Sequence, residues 1–289
     1  MMKTIRLVIV VFVLTSILAG CQKTGTAVHE YQVRATDVSL HVRLAGNPDS
    51  GCVLIAINGG PGLTSNYMWD MERLAGPDCA VVTYDQRGVG ESSQPADPDS
   101  TASYTLANYA ADVEAIRRAI GAERLHVMGH SFGGIVAMEY AILYPERVAS
   151  LLFFGGGPPT WKDMEVAQQH LSERAELLIE SGVIPPPSEW VDGGTDAILP
   201  AYFSDPSFTF PKDSLGGPPE FSQMVSNLTA PSLVGMDLRA GLALVRKPVL
   251  LLFGSAIGPF QCLRDSIAPR RCEAFHAIKG AYPRARSGG

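Results

Sequence analysis

The chain has 289 residues, 46% of them hydrophobic and 18% charged, with a formal net charge of −6. That length can bury a sizeable core and fits one α/β domain with an insertion better than two independent domains. No basic run is present, so the charge pattern offers nothing to a nucleic-acid partner.

The first twenty residues stand apart. Lys3 and Arg6 form a positive segment, and residues 7–17 are apolar but too short to span a bilayer comfortably. Leu18-Ala19-Gly20-Cys21 follows. Small residues before a cysteine at the end of such a segment resemble the lipobox of bacterial lipoproteins. The resemblance implies that residues 1–20 are removed and that Cys21 is lipidated, becoming the new amino terminus. The mature chain would be exported and tethered to a bacterial membrane by acyl chains, without spanning it. Loss of Lys3 and Arg6 would take the net charge to −8. Export implies an oxidising compartment. Cys52, Cys79, Cys262 and Cys272 would remain. Cys52 and Cys79 each lie six residues before a strand end, at Asn58 and Asp85, so they can pair if those strands are neighbours, leaving Cys262 with Cys272. Three pairings are open, as are buried free thiols.

Residues 22–28 read as a polar tether. Residues 31–34 and 38–42 alternate apolar and polar, as in an antiparallel entry hairpin. Residues 52–57 and 80–84 are continuous apolar runs, the pattern of central parallel strands. The first leads into Asn58-Gly59-Gly60-Pro61-Gly62, the second into Asp85-Gln86-Arg87-Gly88-Val89-Gly90. Residues 106–120 predict an amphipathic helix stopped by Gly121. Residues 124–128 predict a strand, residues 135–141 a helix ending at Tyr144 before Pro145, and residues 148–154 another strand. Strands alternating with helices indicate a mostly parallel sheet with helices on both faces.

Gly129-His130-Ser131-Phe132-Gly133 sits between the strand and helix of 124–144. Strand, G-x-S-x-G, then helix is the nucleophile-elbow pattern. A strained turn pushes the serine hydroxyl into the open, and the flanking glycines leave room for neighbouring backbone. The amide of Phe132 then points to where an oxyanion would form. Ser131 is the candidate nucleophile.

The glycine loop, Tyr84-Asp85-Gln86-Arg87-Gly88, the elbow and Tyr144-Pro145-Glu146-Arg147-Val148 occur in this order. Together they resemble the α/β-hydrolase fold, most closely the proline iminopeptidase-like serine peptidases. The resemblance covers residues 30–160 and resumes at Asp237-Leu238, with 248–254 as a late sheet strand. It implies hydrolysis of a peptide, amide or ester through an acyl-enzyme, with backbone near Gly60 as the second oxyanion donor beside Phe132. Where the family has histidine this chain has Asn58, which can still hydrogen-bond the loop. Asp85 and Arg87 read as structural partners that pin their own loop.

Residues 158–240 read as a helical cap inserted between a first core part, 30–157, and a second, 241–289. The cap opens with a helix over 161–181 and carries twelve acidic and four basic residues. In the resembled family, cap carboxylates hold the free amino end of a peptide, so a small-molecule or short-peptide substrate with a cationic end is one reading. A solvated acidic face is the other. No metal-ligand spacing and no dinucleotide fingerprint is present, so no cofactor is implied.

A serine nucleophile needs a base and an acid that orients it, and neither stands at the family's position. After the late strand the chain reads Gly254-Ser255-Ala256-Ile257-Gly258-Pro259, where the family has an aspartate, and the first acid is Asp265. A last strand over 272–278 is followed by Gly280-Ala281-Tyr282-Pro283, where the family has glycine-alanine-glycine-histidine and a closing helix. The acid and the histidine therefore stay unassigned, with His276 and Asp265 the nearest candidates. His29, His41, His126, His130 and His170 read as structural. Three readings follow: a working serine hydrolase with an unusual acid and base, a hydrolase-fold lipoprotein that binds without turnover, or a truncated gene product.

Overall fold

Every second residue of strand β3 (Val53–Ile57) faces one apolar layer and the residues between face another, so its five buried side chains require cover on both sides. The computed structural model describes residues 26–190, 195–203, 205–209 and 214–252. Within them lies a seven-stranded sheet of order β1-β2-β4-β3-β5-β6-β7. The strands are β1 (Val28–Arg34), β2 (Ser39–Ala45), β3, β4 (Ala80–Tyr84), β5 (Leu125–Ser131), β6 (Val148–Gly156) and β7 (Val249–Leu252). β1 pairs antiparallel with β2, and β2 with β4; from β4 through β3, β5 and β6 to β7 every pairing is parallel. The carboxyl ends of five strands therefore line one edge, which is where open α/β sheets place ligands.

Val53, Ile55 and Ile57 pack with helices α1 (Leu106–Ala119) and α2 (Phe132–Leu143). Leu54, Ala56, Val81 and Met128 pack instead with Tyr67, Met68 and Met71 of a 3₁₀ segment, Asn66–Leu74. Helix α2 is buried almost all round, which its apolar sequence suits. Helix α1 buries Leu106, Tyr109, Ala110, Val113 and Ile116, a single helical face. The Asn108 N–H donates to the Thr105 hydroxyl at its start, and Gly121 takes φ 73° just past its end.

Glu114 on α1 accepts two hydrogen bonds from Arg117 and one from Arg118, each 2.8 Å, and one from the Tyr140 hydroxyl of α2 at 3.1 Å. Chiefly through Arg117, these donors hold its carboxyl down at about 2. A depressed acid contributes stability that is complete above its unfolded value and is lost as pH falls through the folded one. Glu114→Gln is therefore expected to cost about 2 kcal/mol at pH 7, after allowance for the exposed Arg118. It should also flatten the loss of stability of the native chain between pH 4.5 and 2, as read by urea titration across that range. A variant whose acid limb matches the native chain would refute the assignment.

Cys52 and Cys79 form a disulfide. The parallel register that opposes Val53 to Ala80 brings the two preceding residues together, deciding one of the pairings the sequence leaves open. Cys21, Cys262, Cys272 and the strand expected over 272–278 lie outside the described residues.

Between β6 and β7 the chain makes helix α3 (Trp161–Glu180), several short turns and helix α4 (Gln223–Leu233). Thr160 caps α3 by accepting the Asp163 N–H, and no α3 residue is fully buried. The segment ahead of α4 is stitched to the chain after β3. Thr64 N–H donates to Glu220 O, Ser222 N–H donates to Gly62 O, and the Asn66 side-chain amide donates to the carbonyls of Gly216 and Pro218.

Candidate active site

β5 runs straight into α2 with no residue between, and the junction is Ser131. Its φ of 51° and ψ of −123° make it the one non-glycine residue with positive φ among the described residues. Such a conformation costs about 1–3 kcal/mol and persists only where the surroundings impose it. Here they do. A Cβ at Gly133 would lie 2.5 Å from the Asn58 carbonyl oxygen, and one at Gly129 2.5 Å from Gly134 Cα. The turn is closed against backbone on both sides, so positions 129 and 133 accept glycine only. Phe132 is the first residue of α2, and its N–H has no intrahelical acceptor.

The glycine loop follows β3 and lies against the elbow. A Cβ on Gly59 would sit 3.0 Å from Ser131 Cβ and 3.1 Å from His130 Nδ1. Asn58 supports the loop as its residue type predicts: its side-chain amide donates to the carbonyls of Gly59 (3.1 Å) and Leu63 (2.7 Å). The Gln86 amide donates to Asn58 O at 2.9 Å, tying the end of β4 to the same loop. Gly60 has φ 127°, and among the described residues its N–H donates to no backbone carbonyl.

Period two along β5 places Met128 and His130 on the face covered by Asn66–Leu74. There the Tyr67 hydroxyl accepts the Gly59 N–H at 2.6 Å and meets His130 Nδ1 at 2.7 Å. Burial lowers the His130 pKa to about 4, so the ring is neutral at pH 7. Burial also pushes the Tyr67 phenol up, so it keeps its proton. His130, which reads as structural in the sequence, has its ring turned to Tyr67. Tyr67 was missed, because its contact with His130 spans 63 positions and no local pattern marks it.

Asp85 and Arg87 occupy the structural places expected of them. Asp85 accepts the Ser65 N–H at 2.8 Å and the Glu91 N–H at 3.0 Å. Arg87 reaches further than its own loop, to Asp112 on α1 and the Ser103 carbonyl. The other described histidines also serve elsewhere: His126 Nδ1 bonds Ser150 Oγ at 2.8 Å, His41 lies near Asp85, Glu30 and Glu91, and His170 lies near Glu173. Among the described residues none hydrogen-bonds the Ser131 hydroxyl. His276 and Asp265 lie outside them, as does the stretch after Leu252 where the family's acid stands.

A family model described as alpha/beta hydrolase fold matches residues 53–176. A proline iminopeptidase from Lacticaseibacillus rhamnosus is 30% identical over 142 residues, 49% of this chain and 45% of that protein. The chain thus spans about half or less of the length of the curated relatives it matches. Among solved structures, a proline iminopeptidase from Mycobacterium smegmatis is 20% identical with a TM-score of 0.57, covering 83% of this chain and 86% of that one. A proline iminopeptidase-related protein from Thermus thermophilus is 19% identical with a TM-score of 0.62, over 83% and 85%. These likenesses are of fold.

Proposed function

We propose that this chain, which has the α/β-hydrolase fold, is a serine hydrolase that cleaves a peptide, amide or ester bond through an acyl-enzyme on Ser131. One observation carries the reading: the single strained non-glycine residue described is a serine at the carboxyl edge of the parallel sheet, heading a helix. In this reading Ser131 Oγ attacks the carbonyl carbon and gives its proton to a base. The N–H groups of Gly60 and Phe132 take the charge that develops on oxygen. The leaving group departs with the proton, and water then releases the acyl group with the same base assisting. Among the described residues His41, His126, His130 and His170 each face partners other than Ser131. The base and the acid stay unassigned, with His276 and Asp265, the first acid after the late strand, the nearest candidates.

Aminopeptidase action of the proline iminopeptidase kind is the specificity we favour. Its support is the relatives' activity, as their names give it, and the acidic inserted segment. Glu220 of that segment lines a cleft of about 120 Å³ with Gly62, Thr64 and Ser222, beside the glycine loop. We place the protein outside the cytoplasm, lipidated at Cys21 and anchored to a bacterial membrane; Leu18-Ala19-Gly20-Cys21 and the Cys52–Cys79 disulfide support this.

The test is fluorophosphonate labelling of the purified chain, followed by assay of amino-terminal proline release. Labelling of a single serine, lost in Ser131→Ala, is the expected result. A folded chain that stays unlabelled would overturn the working-hydrolase reading. The second reading, a binding module without turnover, is favoured by the absence of any acid in residues 254–259. Ligand retained equally by the native chain and Ser131→Ala, with no labelling of either, would establish it.

A further inference from the structure

We propose that Tyr67 is a positioning residue that, with Asn58, fixes which amide of the glycine loop faces the reacting carbonyl. The inference rests on the serine-hydrolase reading above for its catalytic meaning, and on local hydrogen-bond chemistry for its geometry.

A phenol has one hydrogen to donate. The Tyr67 oxygen already accepts the Gly59 N–H at 2.6 Å. Among the described residues its own hydrogen has no other acceptor in reach, which assigns it to the 2.7 Å contact with His130 Nδ1 and makes that nitrogen the acceptor. The His130 proton is then on Nε2. The neutral ring agrees with this assignment. The result is a directed chain, Gly59 N–H to Tyr67 O–H to His130 Nδ1, linking the glycine loop to the residue beside Ser131.

The chain matters because of what glycine lacks. Two consecutive glycines, 59 and 60, leave the peptide planes around them with little steric preference, so an amide can turn over. Tyr67 holds the plane before Gly59 by its N–H. Asn58 holds the plane after Gly59 by its carbonyl, at 3.1 Å. Carbonyl and N–H point opposite ways across a trans peptide. Pinning the Gly59 carbonyl therefore aims the Gly60 N–H the other way. Of the two loop amides, Gly59's is consumed and Gly60's is left free for the oxyanion.

Tyr67 is itself held firmly. The preceding Ser65 N–H donates to Asp85, Asn66 is bonded to Gly216 and Pro218, and Met68 is buried. The hydroxyl thus transmits a fixed position and does not follow the loop.

The test compares the native full chain with Tyr67→Phe, with Met71→Ala as a packing control on the same 3₁₀ segment. Fluorophosphonate labelling rates and nitrogen-15 spectra of the histidine rings are recorded for each. Tyr67→Phe should label roughly tenfold or more slowly, the scale expected of a misplaced catalytic group. Any turnover should fall in kcat and not rise in KM. The native His130 should carry its proton on Nε2, and its Nδ1 resonance should move in Tyr67→Phe. Met71→Ala should label at the native rate. A proton on Nδ1, an unmoved Nδ1 resonance, Tyr67→Phe labelling at the native rate, or equal slowing by Met71→Ala would each overturn the proposal. A native chain that does not label refutes the hydrolase reading instead, and the histidine spectra then decide the geometry alone.

Discussion

Ser131→Gly is expected to make the folded chain more stable, by about 1 kcal/mol, while it removes labelling and lowers any turnover by roughly 10⁴-fold or more. Both effects have one origin. At φ 51° and ψ −123° the Ser131 Cβ is forced against neighbouring backbone, at a cost of about 1–3 kcal/mol. Glycine adopts the mirror of an extended conformation freely, so the strain vanishes. Its greater freedom in the unfolded chain takes back about 0.5–1 kcal/mol. Ser131→Ala keeps the Cβ and the strain, so it should lose activity equally and gain no such stability. Urea denaturation of the three proteins separates the cases. If Ser131→Gly is no more stable than Ser131→Ala, the strain is not stored at this residue and the elbow reading of its geometry fails.

What sequence reveals of this site is what depends on near neighbours along the chain. The elbow is legible because glycine, serine and glycine at fixed spacing between a strand and a helix are all within a dozen residues. The boundaries there were misread all the same. The strand expected over 124–128 runs on to Ser131, and the helix expected from Ile135 starts at Phe132. The strained turn expected over these residues narrows to Ser131 alone, with strand on one side and helix on the other. The Cys52–Cys79 bond needed one further fact, that β3 and β4 are register neighbours, which pairing along a sheet supplies and spacing alone does not. Tyr67 was beyond reach. Its contact with His130 spans 63 positions and depends on which face of the sheet Asn66–Leu74 covers. The same holds for Arg87, assigned correctly to pinning its loop, yet paired with a carboxylate on α1 that no local pattern marks.

That pair gives the second large expected effect. Arg87 is 1% exposed and donates from Nε and Nη2 to the two oxygens of Asp112, each at 2.8 Å, and from Nη1 to Ser103 O at 2.6 Å. Burial pushes the Asp112 carboxyl up to about 6 against the pull of Arg87, so the carboxylate is ionised at pH 7 only with its partner in place. Arg87→Met leaves that carboxyl buried and unpaired, at an expected cost of about 3–5 kcal/mol at pH 7. The sign of the pH dependence follows. Asp112 is protonated below about 6 in the native chain as well, so the extra penalty in the variant opens only as pH rises past that value. Arg87→Met should therefore lose less stability near pH 4 than at pH 7. Arg87→Met with Asp112→Leu should recover most of the loss, because no charge is then stranded. The loop that Arg87 anchors also carries Gln86, whose amide holds the Asn58 carbonyl. The single variant should accordingly slow labelling of Ser131 even under conditions where it is fully folded. A cost below about 1 kcal/mol, or a destabilisation that is the same at both pH values, would mean that Asp112 is not held ionised by Arg87.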